Sequence, residues 1–213
     1  MNAFMPRSSG TSRASWRLAS FVFLACMAGI GRASEAPPPA ATAQGLCDAL
    51  IAVMKKGGAT TFEDRVAALS PEVRQDFDLA AMTRIIVGPP WKGFSSADRQ
   101  DVTAAFGDYS VANYAQRFKS YSGERFEVDP VASTLPSGDC VVHTKLHTAD
   151  PEPVQLDYMM RLRDGRWRII DVFLSGTISE LAARRSEYSL VLRTGGAQAL
   201  VDLLKKKTAE LSR

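Results

Sequence analysis

The chain changes its hydrophobic rhythm once, near its middle. From Gly45 to about Gly123 the apolar residues recur at three- and four-residue spacing, the mark of helices with one buried stripe. Leu46, Leu50, Ile51 and Met54 form one such stripe, and Gly57-Gly58 ends it. Thr61 followed by Asp64 predicts a capped start for a second helix, with Val66, Leu69 and Val73 on its apolar side. Ser70-Pro71 within it reads as a restart, since proline suits a first helical turn. Phe77 to Val87 is a short, strongly apolar segment closed by Gly88-Pro89-Pro90. Ser95 with Asp98 then opens a long helix through Val102, Phe106, Tyr109, Val111, Tyr114, Phe118 and Tyr121, ending by Gly123.

Beyond Gly123 the period falls to two. Phe126 and Val128 alternate with charged neighbours. Cys140, Val142, Thr144 and Leu146 alternate with Val141, His143, Lys145 and His147. Val154, Leu156, Tyr158, Met160 and Leu162 are apolar at every second position. This is the pattern of strands with one buried face. Asp164-Gly165 is a two-residue hairpin signal leading into Arg166 to Leu174. Thr177 with Glu180 predicts the next helix start. Gly195-Gly196 separates that helix from a last one carrying Ala199, Leu200, Leu203 and Leu204. Lys205-Lys206-Lys207 suits the dipole at a solvated helix end, and a contact with anionic headgroups is the sharper reading of the same run. The order of elements predicts an α+β fold. Its parts are a four-stranded antiparallel curved sheet covered by helices, in an NTF2-like architecture that encloses a cavity.

The first 33 residues stand apart. Arg7, Arg13 and Arg17 precede a largely apolar run from Leu18 to Ile30, and Gly31-Arg32-Ala33 supplies small residues after it. That is the layout of a cleaved secretory signal peptide, with cleavage at Ala33 or, failing that, Ala36. The run is too short for a comfortable span of about 20 residues. Leu24-Ala25-Cys26 offers a lipoprotein reading as the alternative. Residues 34–44 are small and Pro-rich and read as a flexible linker, leaving 45–213 as the single domain. Removing the four leader arginines (Arg32 is the last) lowers the basic count from 26 to 22, against 23 acidic residues. The exported part therefore carries no basic field that would argue for nucleic acid. Cys47 and Cys140 would remain, and either a disulfide or two buried thiols fits an oxidising compartment.

Catalytic signatures are sparse. The sequence has no G-x-S-x-G, H-E-x-x-H, P-loop or Rossmann glycine pattern. His143 and His147, the only histidines, lie about 13 Å apart along a strand and on its polar side, too far apart to share a metal. Neither a metal site nor a cofactor is expected. Asp171, inside the apolar run Ile169 to Phe173, needs a partner if buried. It is either structural, bonded to Arg184, Arg185 or backbone N–H groups, or a general base in a hydrophobic cavity. What remains is apolar bulk. Met82, Ile85, Ile86, Trp91, Phe106, Tyr109, Tyr114, Phe118, Tyr158, Met160 and Trp167 are the candidate ligand-binding residues, with Phe77 among the same bulk.

Two stretches resemble a known family. Phe77-Asp78-Leu79-Ala80-Ala81-Met82-Thr83-Arg84-Ile85-Ile86-Val87-Gly88 with Trp91, and Asp164-Gly165-Arg166-Trp167-Arg168-Ile169-Ile170-Asp171-Val172, look like the MlaC and toluene-tolerance family. The resemblance spans roughly Leu46 to Leu204. Where phospholipid-shuttle members carry a "GVS…NYR.QF" stretch, this chain has Gly176-Thr177-Ile178-Ser179-Glu180-Leu181-Ala182-Ala183-Arg184-Arg185-Ser186-Glu187-Tyr188. With Tyr121 to Phe126, that stretch resembles the hopanoid-biosynthesis-associated HpnM branch. The resemblance implies a non-enzymatic periplasmic lipid carrier, most simply for a hopanoid, otherwise for a phospholipid. It would work between an inner-membrane lipid transporter and an outer-membrane partner. It also implies that Asp171 and Arg185 are structural.

Overall fold

The computed structural model describes residues 36–213. The expected leader, 1–33, lies outside the described residues. Five helices and seven strands follow in the order expected, helices first, then the sheet, then helix again.

Helix α1 (Pro39–Lys56) begins inside the segment read as linker, and Ala43 is fully buried. The cause is local. Pro39 occupies the first helical turn, where its missing N–H costs nothing, and alanines follow. Helix α2 (Phe62–Asp76) has the predicted capping box at Thr61 and Asp64. It runs unbroken through Pro71 rather than restarting there. Asp78 caps α3 (Leu79–Val87), accepting from Ala81 N–H at 3.0 Å. Ser95 and Asp98 form the second predicted capping box, at the start of α4 (Ser96–Arg117). Helix α4 ends at Phe118, earlier than Gly123.

The sheet has seven strands, not four, although the four predicted ribbons are visible within it. β1 (Arg125–Val128) and β2 (Ser133–Thr134) pair with β4 (Thr144–His147) and β3 (Cys140–Val142) respectively. β3 and β4 keep one register against β5 (Val154–Arg163), Cys140 facing Met160 and Leu146 facing Val154. The predicted ribbon 140–147 is thus interrupted only at His143. β5 pairs with β6 (Arg166–Leu174) through the Asp164-Gly165 turn, both residues at positive φ as the tight hairpin requires. The short β7 (Ile178–Ser179) closes this edge. A bulge opposite Met159/Met160 leaves Ile170 as the extra residue of β6.

Helix α5 (Glu180–Leu211) is capped by Ser179, which accepts from Ala182 N–H at 3.0 Å, and not by Thr177. Gly196, at φ 63° and ψ −147°, breaks it where the glycine pair predicted. The helices pack on each other and on one face of the sheet, α1 against β1 and β3, and α2, α3 and α5 against β6. Cys47 and Cys140 are both buried free thiols, and burial pushes Cys47 up to about 12.

Two stability predictions arise here. Gly88 has φ +68°, and an added Cβ would meet the Arg185 guanidinium at 3.0 Å. Gly88→Ala should therefore cost about 1–3 kcal/mol, from forced backbone and the displaced arginine, read as a lowered urea midpoint. Asp76, buried at the end of α2, has its carboxyl pushed up to about 6, first by burial and then by Glu72. Below pH ~4 both folded and unfolded chains hold this proton. As pH rises towards about 6 the unfolded chain ionises first, so the native state loses the advantage. With solvent screening allowed for, Asp76→Asn should gain about 1–2 kcal/mol at pH 7 and little at pH 4.

Candidate functional site

A cavity of about 270 Å³ lies between the sheet and helices α3, α4 and α5. Each wall follows from one periodicity. The floor is every second residue of neighbouring strands: Leu146 from β4, then Val154, Leu156 and Tyr158 from β5, then Val172 and Leu174 from β6. The roof is one stripe of α4, at Phe106, Tyr109, Ser110, Asn113, Tyr114 and Arg117, continued by Phe118. Those positions recur at the spacing of a single helical face. Phe77, Met82 and the first turn of α5, Glu180, Leu181 and Arg184, complete the lining.

Burial along β5 gives the cavity a direction. Val154 is 44% exposed, Tyr158 1% and Met160 0%. The mouth therefore lies at the start of β5, and the closed end is at Tyr158. Charged groups gather on this lining. Arg117 lies 3.9 Å from Glu180, and Arg184 lies 3.6 Å from Glu180 and 3.1 Å from Glu187. The Arg184 guanidinium also stands 5.2 Å from the Tyr109 ring centre, a cation–π contact. At the closed end, burial raises the Tyr114 and Tyr158 phenols well above their ordinary range, so both are neutral hydrogen-bonding groups at neutral pH.

Six of the eleven candidate residues line this cavity: Met82, Phe106, Tyr109, Tyr114, Phe118 and Tyr158. The other five do not. Met160 points to the same side of the sheet as Tyr158 but one step beyond the closed end, in the packed core. Ile86 lies a turn past Met82 and is fully buried in the core, while Ile85 is 40% exposed. Trp91 is half-buried against Phe94, with Arg99 5.6 Å from its ring centre. Trp167 is half-buried at the β5–β6 hairpin, outside the lining. The search for apolar bulk missed the polar roof residues Ser110, Asn113 and Arg117. Their signal is in the spacing, because they fall four, four and seven residues after Phe106, Tyr109 and Ser110 on the same stripe.

Asp171 is turned away from the cavity. Val172 and Leu174 face inward, so Asp171 and Phe173 face the other side. Its carboxylate accepts from Val172 N–H at 2.8 Å, Leu181 N–H at 3.2 Å and the Ser179 hydroxyl at 2.5 Å. It therefore pins the start of α5 through backbone N–H groups, one of the two structural roles open from the sequence, and not through Arg184 or Arg185. The histidines lie on the polar side of the sheet as expected and are tied into it. His143 sits between Asp157 at 3.0 Å and Ser133 at 3.1 Å, and His147 lies 3.0 Å from Glu127.

The architecture and sequence both match known proteins. A phospholipid-binding protein from Ralstonia solanacearum, solved in complex with a phospholipid, superposes with a TM-score of 0.72 at 20% identity. The match covers 83% of this chain and all of that one. At that identity the likeness establishes the shared fold. The sequence pattern of the MlaC protein family matches residues 44–206, a stretch that contains every residue lining the cavity. With the sheet, the roofing helices and the sequence pattern in agreement over most of its length, the chain belongs to the MlaC family.

Proposed function

We propose that this protein is an exported carrier that shelters the apolar part of a lipid in the cavity between its sheet and its helices. It passes that lipid between an inner-membrane transporter and an outer-membrane partner in the periplasm. The observation that carries the reading is a cavity whose closed end is aliphatic and aromatic and whose lining also holds Arg117, Glu180 and Arg184. Sheltering matters because each methylene exposed to water costs about 0.8 kcal/mol. The phospholipid-binding neighbour and the family membership support the same reading. The signal-like leader, Arg7 to Ala33, supports export.

The passenger we propose is a hopanoid, on the strength of the Gly176 to Tyr188 stretch that resembles the HpnM branch. A phospholipid is the second reading. Arg117 and Arg184 could face an anionic headgroup there. An enzyme using Asp171 is disfavoured, since that carboxylate is turned from the cavity and engaged three times over. Protein purified from a hopanoid-producing cell should release a lipid on solvent extraction, identified by mass spectrometry. Protein that releases none, and takes up neither hopanoid nor phospholipid from vesicles, would overturn the carrier reading. Release of phospholipid alone would overturn the hopanoid assignment.

A further inference from the structure

The cavity is small for its proposed passenger. At about 270 Å³ it falls just under the ~300–1,000 Å³ range of small-molecule sites. Beside it, between α1 and β1, lies a second space of about 400 Å³. It is lined by Ile51, Ala52, Tyr121 and Phe126, with Asp48 and Lys55 among the polar groups around them. A line of aromatic rings connects the two. Phe77 meets Tyr114 edge-on at 5.6 Å, Tyr114 stacks on Phe118 at 5.8 Å, and Phe118 lies 6.1 Å from Phe126. The first three line the cavity, and Phe126 lines the neighbouring cleft. Phe126 also pairs across the ladder with Leu146, a floor residue of the cavity.

We propose that Phe118 and Phe126 form an openable partition, and that the cleft between α1 and β1 is the second compartment of one binding site. The proposal rests on the carrier reading and adds to it the class of passenger. That passenger is an amphiphile whose apolar body is longer than the main cavity and whose far end reaches the α1–β1 cleft. Together the two spaces lie in the middle of the small-molecule range, where the cavity alone does not. Phe126 is well placed to move. It sits on the outermost sheet ribbon, is only half-buried at the margin of the packed core, and meets Phe118 through one tilted aromatic contact. Such a contact is worth about 0.5–1.5 kcal/mol, a modest barrier against burying several methylenes.

The test uses the full exported chain and saturated lysophosphatidylcholines of increasing chain length, with affinity measured by calorimetry. For short chains we expect affinity to rise about fourfold per methylene in every variant. Phe126→Ala should bind long chains about five- to tenfold more tightly than wild type, because no ring has to be displaced. Ile51→Trp, which fills the cleft from α1 without touching the cavity, should leave short chains unchanged and weaken long ones at least tenfold. A photoreactive group at the chain end should label Tyr121 or Ile51 only with long chains. Chain-length profiles that coincide in wild type and Ile51→Trp overturn the partition, whether or not Phe126→Ala folds. A wild-type protein that binds no chain of any length overturns the carrier reading, and the partition falls with it.

Discussion

Asp171→Ala should lower the unfolding free energy by about 3–5 kcal/mol while leaving the cavity lining chemically intact. The carboxylate accepts three hydrogen bonds, from Val172 N–H, Leu181 N–H and the Ser179 hydroxyl. Ser179 in turn caps α5 by accepting from Ala182 N–H. Bonds to a charged acceptor are worth about 1.5–3 kcal/mol each, and a buried donor left unpaired adds its own desolvation cost. The three are not additive, because they share one oxygen pair and one helix end. Asp171→Asn keeps the shape but turns one acceptor oxygen into a donor, so it should fall between Ala and wild type. The check is a urea titration of all three proteins, followed by lipid loading at a temperature where all are folded. A general base in the cavity would show the opposite pattern, with stability kept and turnover lost.

The second large effect concerns the cavity itself. Ser110 lies on the roof stripe of α4, is half-buried, and donates to the Phe106 carbonyl at 2.7 Å. Ser110→Trp directs an indole into the space the passenger would use. The substitution removes one back-bond within a helix, a small loss, and buries apolar surface in exchange. We expect a melting temperature within a few degrees of wild type and a fall in bound lipid of at least a hundredfold, or about 3 kcal/mol. Native mass spectrometry of protein expressed under identical conditions measures both species directly. Loading equal to wild type would place the passenger elsewhere on the molecule. The pairing of the two variants is informative, since one removes stability without touching the cavity and the other does the reverse.

The sequence was most readable where one residue type has one job. The capping boxes at Thr61 and Ser95, the Asp164-Gly165 hairpin and the Gly196 break all appear where local chemistry placed them. Period-two alternation likewise identified Leu156 and Tyr158 as inward-facing, and both line the cavity. The failures are non-local. The β6 bulge adds one residue within the run Ile169-Ile170-Asp171-Val172, all four of which are buried, so alternation carries no trace of it. The depth at which the cavity ends, between Tyr158 and Met160, depends on what α1 packs against the sheet, and no pattern within β5 encodes that. Size and hydrophobicity alone point past the closed end to Met160 and Ile86 and give no weight to Arg117 and Asn113, which share the roof.

The break at Gly196 has a mechanical consequence. An uninterrupted helix from Glu180 to Leu211 would be a rod of about 48 Å, at 1.5 Å per residue. Tilting its cavity end would drag Leu200, Val201 and Leu204 out of the packed interior. Divided at Gly196, the portion that begins beside the cavity is half that length. That half buries Leu181, Tyr188 and Leu192 and is pinned at its start by Asp171, so the change of direction at Gly196 lets one continuous segment seat two separate apolar stripes, one beside the cavity and one, through Leu200, Val201 and Leu204, in the core behind it.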